Sequence, residues 1–205
     1  MNFNLEINYK LNLKGEHEVL SVYEKCPQFE NEKYQLKYVT NEDCLDLLKV
    51  YSDKKSVPIF NSDNCGGDDF YYTTEQRMNE AIDYWHFEYN RAGFVRWSIF
   101  DKNIGSAIGT IELFHRKAND YFTNCGLLRL DLRSDYEQTQ EIQRILSIIV
   151  SHTFDLFKSD KVATKAIEEA TERIQALKNL GFKYTDEKLI GHDGTEYGSY
   201  YVLKN

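Results

Sequence analysis

Apolar and polar residues trade places along this chain in two rhythms. The first has a period of two. It runs through Phe3, Leu5, Ile7, Tyr9, Leu11 and Leu13, and again through Leu128, Leu130 and Leu132 set against Arg129, Asp131 and Arg133, the signature of strands with one apolar face. The second has spacings of three and four. It predicts one amphipathic helix carrying Ile142, Ile145, Leu146, Ile149, Thr153, Phe154 and Phe157, another carrying Met78, Ala81, Ile82, Trp85 and Tyr89, and shorter ones carrying Leu45, Leu48 and Tyr51 and then Ala170, Ile174 and Leu177. Gly126 to Phe157 therefore reads as strand, polar turn and helix. That arrangement points backbone N–H groups at a helix start, where an anion can be held.

The punctuation between these runs fixes the order of elements. Lys14-Gly15-Glu16 predicts a turn before a strand over 19–23, and Pro27 marks a break. Tyr34 to Val39 is the next strand. Thr40 with Asp43 three residues on makes a capping box for the following helix, and Thr73 or Thr74 caps the one after it, which closes near Gly93. Phe94–Phe100 and Ala107–Phe114 form a hairpin across DKNIGS. After the long helix, Lys158-Ser159-Asp160 turns into a strand over Val162–Ile167, giving a βαβ unit with parallel strands. Gly181 closes the late helix, and His192-Asp193-Gly194 is the turn of a final hairpin ending in Tyr197–Leu203.

Composition narrows the function classes. Hydrophobic residues make up 41 % of the chain, too many for a disordered protein and enough for one sizeable core. The net charge of −8 disfavours a nucleic-acid partner, which Lys and Arg would have to hold. Cys26, Cys44, Cys65 and Cys125 lie far apart, with no CxxC pair and no His at zinc-ligand spacing, so reduced thiols, no metal and a cytoplasmic location are expected. No apolar run is long enough for a membrane helix, and the N-terminus lacks a signal-peptide pattern.

The stretch Ser52–Thr73 is long for a connection inside a domain, and its Asp63, Asp68 and Asp69 around Gly66-Gly67 could receive a cationic amine, although a solvated loop is the commoner outcome. It lacks the ligand spacing of an EF-hand.

The order strand, two helices, three antiparallel strands, helix, strand, helix, strand, together with YQLKYVTNEDCLDLLKVYSD, AIGTIELF and the LGF of ALKNLGFKY, resembles the GNAT N-acetyltransferase superfamily, in particular the branch that acetylates ribosomal-protein N-termini. The resemblance spans roughly 34–203. It implies an α+β (α/β) fold whose mixed central sheet splays between the fourth and fifth core strands, with helices on both faces. Residues 1–33 then form a hairpin-like extension to a domain at 34–205. It also implies acetyl-CoA as co-substrate, its pantetheine paired with the strand backbone at Leu130 and Leu132 and its pyrophosphate cradled at Gln138, Thr139, Gln140 and Glu141. The family's R/Q-x-x-G-x-G/A loop falls on Glu137, Gln140 and Ile142, none of which keeps the family residue. Asp135, Glu137 and Glu141 place carboxylates there against Arg133 and Arg144. Ser134 to Glu137 is itself a capping box, which would start the helix early. Ala170 and Arg173 stand where many members have Asn and Ser, and Leu177 where some carry a catalytic Tyr.

Acetyl transfer needs a base for the amine, and the candidates are Asp131 on the fourth core strand and Glu112 on the third. Either carboxylate can instead be a structural partner of Arg129 or Arg133. Tyr184, Tyr197 and Tyr200 have the chemistry of the acid, His86 and His152 read as packing residues, and Cys65 and Cys125 lack the neighbours that activate a thiol. Two functions follow: an N-acetyltransferase acting on a small-molecule amine or a protein N-terminus, or a GNAT-fold ligand-binding or interaction module that has lost acetyl-CoA. A homodimer is compatible with either.

Overall fold

The computed structural model describes residues 9–11, 17–19 and 21–205, with side chains from 21 onward. Phe3, Leu5 and Ile7 and the Lys14-Gly15-Glu16 turn lie outside the described residues. Strands β1 (Tyr9–Leu11) and β2 (His17–Val19) pair as a small antiparallel hairpin separate from the main sheet. Strand β3 (Phe29–Glu30) already belongs to that sheet, pairing with β4 (Tyr34–Tyr38). Upstream of it, Val22 packs into the core and its carbonyl accepts from the Tyr89 hydroxyl at 2.8 Å.

Helix α1 (Cys44–Tyr51) follows a single turn of 3-10 helix, and the Thr40 N–H donates to the Asp43 carboxylate at 3.1 Å, as the capping box requires. Its buried face is Cys44, Leu47, Val50 and Tyr51, whereas Leu45, expected inward, is 60 % exposed. Helix α2 (Glu75–Asn90) starts under the Thr74 side chain, which accepts from the Arg77 N–H at 3.2 Å. It stops where Ala92 turns left-handed and the Gly93 N–H returns to the Glu88 carbonyl. Strands β5 (Val95–Asp101), β6 (Ser106–Arg116) and β7 (Cys125–Leu132) form the antiparallel centre.

The long helix expected over 142–157 is two helices, α3 (Thr139–Leu146) and α4 (Val150–Phe157). Ile148, Ile149 and Val150 are all buried, and three consecutive residues sweep about 200° of a straight helix, too much for one inward stripe. A tighter turn solves the conflict, with the N–H groups of Ile148 and Ile149 bonded to the carbonyls of Ile145 and Leu146. Nor does the helix begin early: Ser134–Tyr136 is a separate 3-10 turn, and α3 starts only at Thr139. Strand β8 (Lys161–Lys165), helix α5 (Thr171–Asn179) and strand β9 (Lys183–Thr185) follow. The hairpin β10 (Leu189–Ile190) with β11 (Glu196–Tyr197), and β12 (Tyr200–Lys204), complete the chain.

The main sheet has the order β3-β4-β5-β6-β7-β8-β12-β9. Its one parallel pair is β7 with β8. One face carries Trp97, Ile111, Leu128, Leu130 and Leu132 into a core with Ile142, Ile145 and Leu177 of α3 and α5. The opposite face is polar at Arg96, Thr110, Glu112 and Asp131, yet it too is buried, beneath the apolar layer of Tyr51, Tyr72, Met78, Ile82 and Trp85. Taking several charges out of water is costly unless each finds a partner. What they find determines the site.

Candidate functional site

The splay between β7 and β8 is where an acyl-CoA would lie if the resemblance carried over. The two strands pair from Cys125↔Lys161 to Leu128↔Thr164, while β7 runs on to Leu132. Arg173 on α5 reaches back into this opening. Its guanidinium donates to the Leu130 carbonyl at 2.9 Å and the Ile59 carbonyl at 3.3 Å, and closes an ion pair with Glu137. The residue is 2 % exposed. The Leu130 carbonyl, where the resemblance places a pantetheine amide, thus already accepts from a side chain of α5.

The start of α3 is taken as well. The Thr139 N–H donates to the Glu172 carboxylate at 2.8 Å, and the Thr139 hydroxyl to the same oxygen at 2.5 Å. These bonds hold the Glu172 carboxyl below the usual carboxylate range. A carboxylate of the chain's own thus occupies the position that favours a phosphate. Glu141 turns away from the groove to the Tyr34 hydroxyl and to Lys33 at 3.0 Å, and Asp135 forms an exposed two-bond pair with Arg133 at 2.7 and 2.9 Å. Gln138 precedes α3 with its amide donating to the Asp135 carbonyl. Gln140 is exposed and Leu132 is fully buried. At the places the resemblance assigns to the amide and pyrophosphate of an acyl-CoA, the residues present do not fit that group: two carboxylates and one guanidinium stand there.

On the polar face of the sheet, Arg96 of β5 anchors a buried network that sequence reasoning did not single out. Its Nη1 donates to the Tyr51 hydroxyl at 2.7 Å, to Thr110 at 3.0 Å and to Asp131 at 3.0 Å, and its Nη2 to Glu112. Tyr51 in turn donates to Asp131 at 2.7 Å. Asp131 thus has Arg96 as partner, neither Arg129 nor Arg133, and lies 3 % exposed beneath Tyr51. Glu112 sits between two guanidiniums, with Arg129 Nη1 at 3.3 Å from Oε1. Burial pushes its carboxyl up, but Arg96 and Arg129 together outweigh that and hold it below the usual range. A carboxylate so stabilised is a poor proton acceptor near neutral pH.

Glu112 and Arg96 line a cavity of about 970 Å³, bounded by the 61–72 loop, α2, the outer ends of β6 and β7 and the β10–β11 hairpin. Two fully buried side-chain atoms beneath it, Arg96 Nε and Glu112 Oε1, make no hydrogen bond, although Oε1 keeps its ion-pair contact with Arg129; an atom left wholly unmet, as Nε is, costs about 1–3 kcal/mol. The loop carboxylates are engaged within the chain, so they are not left open for a cationic amine. Asp63 is held by Lys165 at 2.5 Å and by the Tyr200 hydroxyl at 3.0 Å, Asp68 by Arg77 at 2.6 Å and by Tyr72, and Asp69 accepts from the Tyr71 N–H. Of the three tyrosines, Tyr200 reaches the cavity, with its ionisation pushed up by burial and the Asp63 charge; Tyr184 is 54 % exposed on the far edge. His86 bonds the Val39 carbonyl and His152 stacks on Phe29. Asp131 and Leu130 line neither this cavity nor its mouth.

Sequence separations of 14 to 45 residues between Arg96 and its partners hid the network. One signal could have revealed it: Arg96, Glu112 and Arg129 occupy matching positions on three consecutive strands.

No family model matches the chain, and no curated protein does. Solved structures do. The ribosomal-protein-S5-alanine acetyltransferase from Vibrio fischeri superposes with a TM-score of 0.65 at 16 % identity, over 87 % of this chain and 96 % of that one. RimJ from Mycobacterium smegmatis, solved in complex with CoA-disulfide, gives 0.64 at 12 %, over 86 % and 85 %. A GNAT-family acetyltransferase from Bacillus anthracis gives 0.62 at 10 %, over 86 % and 98 %. This chain has the GNAT acetyltransferase fold. In GNAT terms the splayed pair is β7 and β8, and the cavity lies on the opposite side of β7 from α3 and α5. Among the described residues no helix is long and apolar enough to cross a membrane, and no cluster of His, Cys, Asp and Glu is placed to hold a metal.

Proposed function

We propose that this GNAT-fold chain is a ligand-binding protein that works without acetyl-CoA and takes its ligand into the cavity above Arg96 and Glu112. The observation that carries this reading is Arg173 in the splay, bonded to Leu130 and paired with Glu137. Glu172 on the Thr139 N–H adds to it, since a diphosphate would have to displace a carboxylate from the one helix start that could attract it. Titration calorimetry of acetyl-CoA and of coenzyme A into the full chain tests it. The expected result is no saturable heat at ligand concentrations up to about 1 mM, and a dissociation constant in the micromolar range overturns the reading.

A second reading is an acetyl-CoA-dependent N-acetyltransferase acting on a small amine or a protein N-terminus. It is favoured by the fold, shared with ribosomal-protein acetyltransferases, and by a cavity placed across the sheet from the splay. Under it Arg173 leaves the splay when the cofactor arrives, and acetyl transfer to a primary amine accompanies a positive titration.

A further inference from the structure

The charges that line the cavity specify the ligand it takes, an inference that rests on the ligand-binding reading above. On a chain of net charge −8, this cavity is lined by more cations than carboxylates: Arg77, Arg91, Arg96, Arg116, Lys117 and Arg129 against Asp68, Glu88, Glu112 and Asp120. Asp131, buried beneath Tyr51, answers one of the extra cations through Arg96. Lys117 is answered by none: it is exposed on the rim and makes no ion pair among the described residues. The pairs are also oriented. Arg96 is buried together with its partners, but in the other pairs the carboxylate is the member more withdrawn from water. The Arg91 side chain is 61 % exposed against 5 % for Glu88, and Arg129 is 13 % exposed against 2 % for Glu112. The same order holds, less steeply, for Arg77 over Asp68 and Arg116 over Asp120.

A ligand entering this cavity therefore meets positive charge first, in a concave space whose low-dielectric walls concentrate the field. An ammonium is repelled by guanidiniums whose carboxylates lie behind them. An uncharged group gains nothing from the excess. A carboxylate or phosphate accepts from Lys117 and from the guanidinium N–H groups that remain open. Behind the charged end, Trp85, Phe94, Tyr72 and Phe114 give the cavity flat apolar walls, and about 970 Å³ leaves room for a ring-bearing body. We infer that the cavity binds an organic anion, a carboxylate or phosphate carried on an aromatic or flat apolar body, with Lys117 at its charged end.

Four probes of similar size separate the possibilities: phenylacetate, phenyl phosphate, phenylacetamide and phenethylamine, each titrated into the full chain without any coenzyme. The readout is the Trp85 indole N–H resonance, assigned with Trp85→Phe. The expected result is saturable movement by one or both anions, with the amide and the amine at least about tenfold weaker. Whichever anion leads identifies the head group. Raising the salt from about 0.01 to 1 M contracts the Debye length from about 30 to 3 Å and should weaken the anion at least about threefold. Lys117→Glu should weaken it at least about threefold as well; should that variant fail to fold, the salt series on the wild-type chain still decides. A lead by the amide or the amine, equal binding of all four, or no saturable shift from any probe overturns the inference. So does an anion affinity indifferent to salt, or to Lys117→Glu in a folded protein. Saturable heat with acetyl-CoA would sink the proposed function and leave the probe order standing. An amine-led or amide-led order without acetyl-CoA binding would sink this inference alone.

Discussion

The Arg173 guanidinium and the Leu130 carbonyl meet at 2.9 Å across the open end of the sheet, with Glu137 closing the other side of the guanidinium. Both charged side chains are withdrawn from water, at 3 % and 10 % exposure. Removing one partner of such a pair leaves the other charge buried, a loss of about 3–5 kcal/mol, whereas removing both is close to neutral. Arg173→Met should therefore lower the urea-unfolding free energy by about 3 kcal/mol or more, and the Arg173→Met/Glu137→Gln double variant should recover most of it. Equal stability of wild type and single variant would mean that the pair is not formed.

The two carboxylates at the groove make a separate prediction about anions. Replacing them with neutral isosteres, Glu137→Gln with Glu172→Gln, keeps side-chain shape and removes the charge that opposes a diphosphate. Coenzyme A should give saturable heat with the double variant at concentrations below about 1 mM, where the wild type gives none. Heat from neither protein would show that Arg173, rather than the carboxylates, closes the groove.

Much of this arrangement could be read from the chain and some could not, for physical reasons. The period-two run at Leu128, Leu130 and Leu132 gave the correct core face, because half-burial leaves its imprint residue by residue. That Glu137, Gln140 and Ile142 depart from the family's phosphate-loop residues was equally visible. That Glu137 would be neutralised by Arg173, 36 residues on, was not, since pairing between distant side chains leaves no periodic trace. Leu45 misled because spacing alone cannot distinguish its stripe from that of Cys44, Leu47 and Val50, and only the packed sheet decides. The helix break at 147–149 stayed hidden because an unbroken apolar run suits a buried helix as well as two helices meeting at a turn.

Glu112 links the buried network to pH. Its folded-state carboxyl lies below the ordinary value of 4.5, so its contribution to stability is complete above that value and is lost as pH falls through the folded value. Glu112→Gln should cost about 3 kcal/mol near neutrality, where the largely buried Arg129 guanidinium loses its carboxylate partner and Arg96 keeps only Asp131. The gap between variant and wild type should then narrow on acidification below about pH 4.5, as the wild type loses the same charge. Thermal midpoints of both proteins from about pH 7 to 3 check this; a gap that widens with acid would reverse the assigned direction of the shift.

Gly109 tests how closely β6 and β7 must approach where the polar network ends. It pairs with Leu132, next to the Thr110–Asp131 pair that contacts Arg96. A Cβ at Gly109 would run into the Asp131 carbonyl oxygen and come within 3.1 Å of the Leu132 Cα. Both are backbone atoms that cannot rotate aside, so Gly109→Ala must push β7 away and stretch the bonds that Asp131 makes to Arg96 and Tyr51. Overpacking of this kind costs about 1–3 kcal/mol. Gly105, in the β5–β6 turn, has φ of +65° and open space around it, so Gly105→Ala meets only the left-handed backbone strain of about 1–2 kcal/mol. The two variants separate by a readout that strain alone does not move. Gly109→Ala should shift the Arg96 Nε–H resonance as the network spreads, while Gly105→Ala should leave it in place. An unmoved Arg96 signal in a folded Gly109→Ala protein would show that the sheet absorbs the methyl group without disturbing the site.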